Sequence, residues 1–265
     1  WLSLYESKSG ERGIFNRASA QKKAAENGRR ESNWEFGTNP CSEIILRPNQ
    51  FCNLTEIVVR AGDTVTSLTR KIKIATLLGT IQSTFTNFGY LRKIWQDNTE
   101  EERLLGVSLT GIMDSELLNG KEAGLEKTLE KLKKVAVDCN KEYSEKFNIN
   151  QSTAITCVKP SGTVSQLVDS ASGIHARHNP YYIRTVRGDK KDPLTEFLKA
   201  SGIPSEDDKM KPDHTTVFSF PMMAPKGSVC RTDMTAIQQL EMWKIYAKHW
   251  CEHKPSVTIS VKEDE

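Results

Sequence analysis

The chain has 265 residues, with 37 Lys plus Arg against 34 Asp plus Glu and a formal net charge of +3. With 27% charged and 37% hydrophobic residues it reads as a soluble globular protein and not as a disordered or collagen-like one. The mixed signs leave no basic stripe for nucleic acid, and the most apolar stretch, Ile72 to Phe88, is broken by Lys73, Gln82 and Ser83, short of the ~20 apolar residues of a membrane span.

The first forty residues are polar and glycine-bearing, with one short helix expected from Ala18 to Asn27 and ended by Gly28. Glu43 to Leu46 and Leu54 to Arg60 read as strands joined by a turn at Pro48-Asn49-Gln50. Asp63 or Thr64 can cap a helix in which Val65, Leu68, Ile72, Ala75 and Leu78 repeat at helical spacing. Leu104 to Met113 is a buried-strand candidate interrupted by Gly106 and Gly111. The clearest helix is Glu122 to Phe147, with Leu125, Leu129, Leu132, Ala136, Cys139 and Tyr143 on one face.

A strand at Thr153 to Val158 then runs into Pro160-Ser161-Gly162-Thr163 and a short helix to about Asp169. Further strands are expected at Tyr181 to Val186, Thr215 to Phe220 and Ser256 to Val261, and helices at Pro193 to Ala200 and Met234 to Glu252. Strands alternating with long helices predict an α/β architecture with parallel strands. The chain opens at Trp1 with no initiator Met or secretory leader and closes on Lys262 to Glu265 after a strand-like run, so an incomplete domain is expected. Six cysteines, at 41, 52, 139, 157, 230 and 251, are too few and scattered for a disulfide scaffold, which points to reduced thiols in a cytoplasmic protein.

Asn39-Pro40-Cys41-Ser42-Glu43 is the most informative stretch. On an extended backbone, amide, thiol and carboxylate at alternate positions face one side, offering a hydrogen carrier, a general base and a hydrogen-bond donor to one small substrate. The plain alternative is a turn at Asn-Pro followed by a buried cysteine. Cys52, eleven residues after Cys41 and beyond a hairpin-like turn, could bring a second thiol near the first, or be another core cysteine. At Ser161 to Ser165, a strand end opening into a helix aims free N–H groups at one point, an anion site suited to phosphate; the alternative is a helix capped by Ser161 or Thr163. His249, Cys251 and His253 lack a fourth ligand, so no metal site is expected.

Asn39-Pro40-Cys41-Ser42-Glu43-Ile44 followed by Cys52-Asn53-Leu54 resembles the active-site finger loop of ribonucleotide reductases, with the cysteine spacing of the monomeric, adenosylcobalamin-dependent class II ribonucleoside-triphosphate reductases. Three further segments agree in order. Gly10-Glu11-Arg12-Gly13-Ile14-Phe15-Asn16 is similar to a family segment that usually has Pro at the third position. Arg103 to Gly111 looks like a glycine-broken barrel strand, and Lys159 to Ser165 with Gly173-Ile174-His175 and Tyr181 to Arg184 looks like the substrate-phosphate loop and the stretch after it.

The resemblance implies part of the ten-stranded α/β barrel of these reductases over residues 1–265. It puts the finger loop at about 37–54 and the substrate-phosphate loop at about 159–166, with further parts upstream and downstream. It implies reduction of ribonucleoside triphosphates to 2′-deoxyribonucleotides, with adenosylcobalamin as cofactor and a thioredoxin-like reductant. Cys41 would carry the thiyl radical, Glu43 would be the base on the 3′ hydroxyl, Asn39 would hold the hydroxyls and Cys52 would be one of two reducing thiols. Ser161, Gly162, Thr163, Val164 and Ser165 would hold the phosphates. The other redox cysteine, the allosteric region and a tail dithiol would lie outside the chain. Two alternatives remain: a nucleotide-binding segment working only with a separately encoded N-terminal piece, and a class I reductase core.

Overall fold

Three parallel strands form the sheet around which the molecule is built, in the computed structural model that describes residues 2–8 and 13–261. They are β3 (Asn53–Val58), β4 (Leu105–Thr110) and β5 (Thr156–Cys157), in that spatial order. Asn53 pairs with Leu105 and Val58 with Thr110, while Val107 and Ser108 pair with Thr156 and Cys157. Parallel pairing requires long crossovers. Here α3 (Val65–Gln82) and α4 (Lys93–Glu102) make the first and α5 (Leu125–Phe147) the second.

The period-2 alternation of strands divides the sheet into unlike faces. Ile57, Val59, Leu105, Val107 and Leu109 belong to the main core with Leu68 and Ile72 of α3, Leu129, Leu132 and Ala136 of α5, and Tyr246 of α8 (Ala236–His249). The other face carries Cys52, Leu54, Glu56, Gly106, Ser108 and Cys157, in keeping with the strand register. It is rich in polar and thiol groups, and the candidate site lies there.

The helices expected after Asp63 and at 122–147 are present as α3, which ends at Gln82, and α5. Thr64 caps α3 with a reciprocal Ser67 capping box, and the apolar stripe of α5 is buried through Leu125, Leu129, Leu132, Ala136 and Cys139. Helix α2 (Arg17–Ala25) begins where Asn16 accepts from Ser19 N at 2.9 Å. Of the segment Gly10 to Asn16, residues 10–12 lie outside the described residues, as do Lys262 to Glu265.

Several expectations are corrected. Strand β2 (Ile45–Leu46) does not pair with β3; it pairs antiparallel with β1 (Gly37–Thr38), so the hairpin spans 37–46. The second sheet is antiparallel, with β6 (Tyr181–Asp189) beside β8 (Thr215–Met223) and β8 beside β7 (Ser205–Asp207). Helix α4 carries too few apolar residues for a periodic signal, and Arg103 at φ 44° ends it. The run 256–261 is not a strand. Pro255 bridges Val158, but beyond it β5 turns away at Pro160 and Ser161. Thr258 N donates instead to His175 Nε2, and Ser260 exchanges hydrogen bonds with Gln239.

A buried ionic cluster fixes the base of the hairpin. The Arg30 guanidinium forks onto both oxygens of Glu102 at 2.9 and 2.8 Å, Arg47 meets Glu102 at 3.1 Å, and Gln50 donates to the same carboxylate. The Arg47 guanidinium lies 4.1 Å from the centroid of the Trp34 ring.

Candidate active site at the hairpin tip and the inner sheet face

The stretch Asn39 to Glu43 is a tight turn, not extended backbone. Ser42 N donates to Asn39 O at 3.0 Å, and Ser42 itself sits at φ 62°. This left-handed residue breaks the alternation, so the three side chains do not share one strand face. Asn39 Oδ1 accepts from Ile44 N at 3.0 Å and from Thr38 Oγ1, which closes the turn and leaves the Nδ2 amide without a bond among the described residues. Cys41 stands exposed at the tip of the hairpin.

Glu43 turns inward and is fully buried. Lys159 Nζ donates to its Oε1 at 2.6 Å, and Lys254 N donates to its backbone carbonyl at 2.9 Å. Its second oxygen, Oε2, is buried without a partner. A buried carboxylate oxygen left unpaired is costly, which marks it as a position for a ligand hydroxyl. Burial alone would lower the Lys159 ammonium, but the hydrogen bond and charge of Glu43 outweigh it and hold it above its ordinary 10.5.

Cys52 enters β3 beside these groups. Burial pushes its thiol far up, against the opposing pull of Arg30 and Lys159, so it is held protonated. It leans over Gly106, where an added Cβ would come within 3.3 Å of Cys52 Sγ and of Ile44 Cδ1. Both Cys41 and Cys52 are free thiols, and the hairpin that would have joined them is absent.

Glu56, Ser108 and Cys157 form one row across the sheet. Burial raises the Glu56 carboxyl while the Ser161 hydroxyl and Lys159 pull it down; burial also raises the Cys157 thiol, with Cys52 and Cys251 adding to it. Glu56 and Cys157 were not singled out from sequence for this face. The strand parity of Cys52-x-x-x-Glu56 was the available signal for Glu56.

Beyond β5, Lys159 N donates to Ser108 Oγ at 2.9 Å and the chain turns through Ser161 at φ 54°. Gly162 is not the left-handed residue, and nothing lies within 4 Å of where its Cβ would be. Helix α6 (Val164–Leu167) has only four residues, and Thr163 at its N-cap makes no side-chain cap bond. The loop is braced from behind. Ser165 Oγ donates to Ser161 O and lies 2.8 Å from Ser172 Oγ, while Arg177 forks onto Asp114 at 2.9 Å and reaches Asp169 at 2.9 Å. Asp114 in turn accepts from Ala171 N.

The histidines at 249 and 253 do not converge. His249 Nδ1 meets Glu130 at 2.7 Å on the surface of α8, whereas His253 lies in the core with Nδ1 facing Ile45 N and Nε2 at 3.0 Å from Leu105 O. Burial takes the His253 imidazole down to about 3, so it is neutral. Among the described residues no group of His, Cys, Asp and Glu could hold a metal ion, and no helix is long and apolar enough to cross a membrane.

No family model matches the chain. It is 31% identical over 260 residues to the adenosylcobalamin-dependent ribonucleoside-triphosphate reductase of Lactobacillus gasseri, covering 86% of this chain and 34% of that protein. The chain is related to the class II ribonucleotide reductases. The reductase of the same name from Euglena gracilis is 29% identical over 85% of this chain and 30% of its own length, and that of Lacticaseibacillus paracasei is 26% identical over 100% and 39%. A crystal structure of a B12-dependent class II ribonucleotide reductase superposes with a TM-score of 0.73 at 26% identity, covering 88% of this chain and 35% of that one. The fold is thus part of the class II reductase barrel, and the chain spans about a third of the length of the curated relatives it matches.

Proposed function

We propose that the chain contributes the catalytic hairpin and the substrate-phosphate loop of a class II ribonucleotide reductase acting on ribonucleoside triphosphates. The observation that carries this reading is Glu43: a buried carboxylate paired with Lys159, with one oxygen free, lying in the chain between the exposed Cys41 and the partly buried Cys52. In this reading Cys41, as a thiyl radical, takes the 3′ hydrogen of the ribose, and Glu43 Oε2 accepts the 3′-hydroxyl proton. The unengaged Asn39 amide donates to the ribose hydroxyls. The 2′ hydroxyl leaves as water while two thiols, Cys52 one of them, give two electrons and two protons and become a disulfide. Cys41 then returns the hydrogen to the 3′ carbon and is again a thiyl radical, and a thioredoxin-like dithiol restores the reduced pair.

Adenosylcobalamin, when bound, supplies the unpaired electron by homolysis. The chain's donor set fits that role, because Cys41 is the one exposed cysteine and so the one a cofactor outside the hairpin can approach. A recess of about 430 Å3 flanked by Ser42, Phe15 and Trp243 borders the hairpin and would hold part of the group. Ser161 to Ser165 take the phosphates through backbone N–H groups, and a separately encoded N-terminal piece is a partner that would complete the barrel. The test is deoxynucleotide formation from ribonucleoside triphosphate with adenosylcobalamin and dithiothreitol, in the chain together with whatever completes it. Cys41→Ser is expected to abolish product while nucleotide binding persists; product from that variant would end the radical assignment.

A further inference from the structure

At the carboxyl end of the sheet lies a cavity of about 520 Å3, bordered by Gly162 of the 161–165 loop and by Gln166 just beyond it. This is within the ~300–1,000 Å3 range of small-molecule sites. Its floor is apolar, from Met113, Ile174 and Met242, and no Asp or Glu lines it.

The cations on its wall are not equivalent. Arg177 is engaged by Asp114 and Asp169. His175 has both ring nitrogens occupied, by Ser172 O and Thr258 N. The guanidinium groups of Arg184, on β6, and Arg231 line the same cavity and make no hydrogen bond or ion pair among the described residues. Two unpartnered guanidinium groups facing an acid-free cavity are suited to phosphoryl oxygens, which they can bind through forked hydrogen bonds. Gly162 leaves the loop open toward this space, since nothing stands within 4 Å of its absent Cβ.

We propose that Arg184 and Arg231 form the subsite for the terminal phosphate of a nucleoside triphosphate whose inner phosphates lie against the 161–165 loop. The pair then selects triphosphate over diphosphate. This rests on reading 161–165 as the substrate-phosphate loop, and a phosphodiester such as that of the cofactor is the other source of the same chemistry.

Calorimetric titration of the full chain with ATP, ADP and cyanocobalamin, for wild type, Arg184→Gln, Arg231→Gln and Gly162→Val, tests it. Arg184 is half-buried and Arg231 exposed, so unchanged thermal melts are expected for both Gln variants. Wild type is expected to prefer ATP. Each Gln substitution should weaken ATP about tenfold, leave ADP within about twofold, and reduce the salt dependence of ATP binding. Equal weakening of ATP and ADP, or of neither, overturns the proposal; weakening of cyanocobalamin alone overturns it and gives the cavity to the phosphodiester. Gly162→Val reports on the loop separately: unchanged affinity for both nucleotides in that variant refutes the loop reading whatever the arginine variants do.

Discussion

Glu43 and Lys159 lie 116 residues apart in sequence and 2.6 Å apart in space, and their pairing makes a buried charge tolerable next to two thiols. Removing Lys159 leaves a buried carboxylate uncompensated. Lys159→Met is therefore expected to destabilise the fold by about 2–3 kcal/mol, below the full buried-pair value because Lys159 is partly exposed; Lys159→Arg should recover part of it in urea melts. Because the folded Lys159 titrates above its ordinary 10.5, the stability it adds is complete below that value and is lost as pH rises through the folded one. Equal melting of wild type and Lys159→Met at neutral pH would mean the pair contributes nothing. The thiols divide just as sharply. Burial raises Cys52, Cys139, Cys157, Cys230 and Cys251, the last to about 12, while Cys41 is exposed. Iodoacetamide at pH 8 should therefore label Cys41 first in the native state, with mass spectrometry locating the adduct, and Cys41→Ser should remove the fast phase.

At the scale of elements, the loop after β5 is braced by side chains behind it, not by a long helix, so its free face can change without unfolding it. Gly162 has an ordinary φ and open space around it. Gly162→Val is accordingly expected to leave the melting temperature within about 1 °C, the small change typical of surface substitutions, while crowding any bound phosphate. A large loss of stability would show that the position is structural. Gly106 is the opposite case. Its Cβ would collide with Leu54 Cδ2 and press on Cys52 and Ile44, and Gly106→Ala should cost about 1–3 kcal/mol as overpacking. The same contrast between local and distant causes governs what was legible in the sequence. The caps and stripes of α3 and α5 were readable because they are local and periodic, and strand β4 because it is a run of six buried residues. The hairpin geometry was not, because two-residue strands have no period and Ser42 gives no sign of adopting a positive φ. The motif residues were identified, but their arrangement was set by distant partners: Lys159 for Glu43 and Gly106 for Cys52. The antiparallel pairing of β6 and β8 was hidden because strand signals do not encode direction.

For the whole molecule, the hairpin is attached to the sheet through few groups, and His253 is the most telling. Its imidazole lies between Ile45 N of the hairpin and Leu105 O of β4, buried and neutral. The unfolded chain takes up a proton on this residue near the ordinary 6.5, whereas burial keeps the folded one neutral down to about 3. Between those values the unfolded state binds the extra proton, so stability falls with acid at up to about 1.4 kcal/mol per pH unit from this residue alone. Above 6.5 it contributes no slope. His253→Gln keeps a donor and an acceptor at the position without titrating, so its urea-unfolding free energy should decline less steeply than that of wild type from pH 6 to pH 4, whatever its value at pH 7. Because His253 joins hairpin to sheet, hydrogen exchange at Ile45 and Leu46 should speed up over the same range in wild type and not in the variant. Parallel pH slopes for the two proteins would show that burial does not hold His253 neutral in the fold.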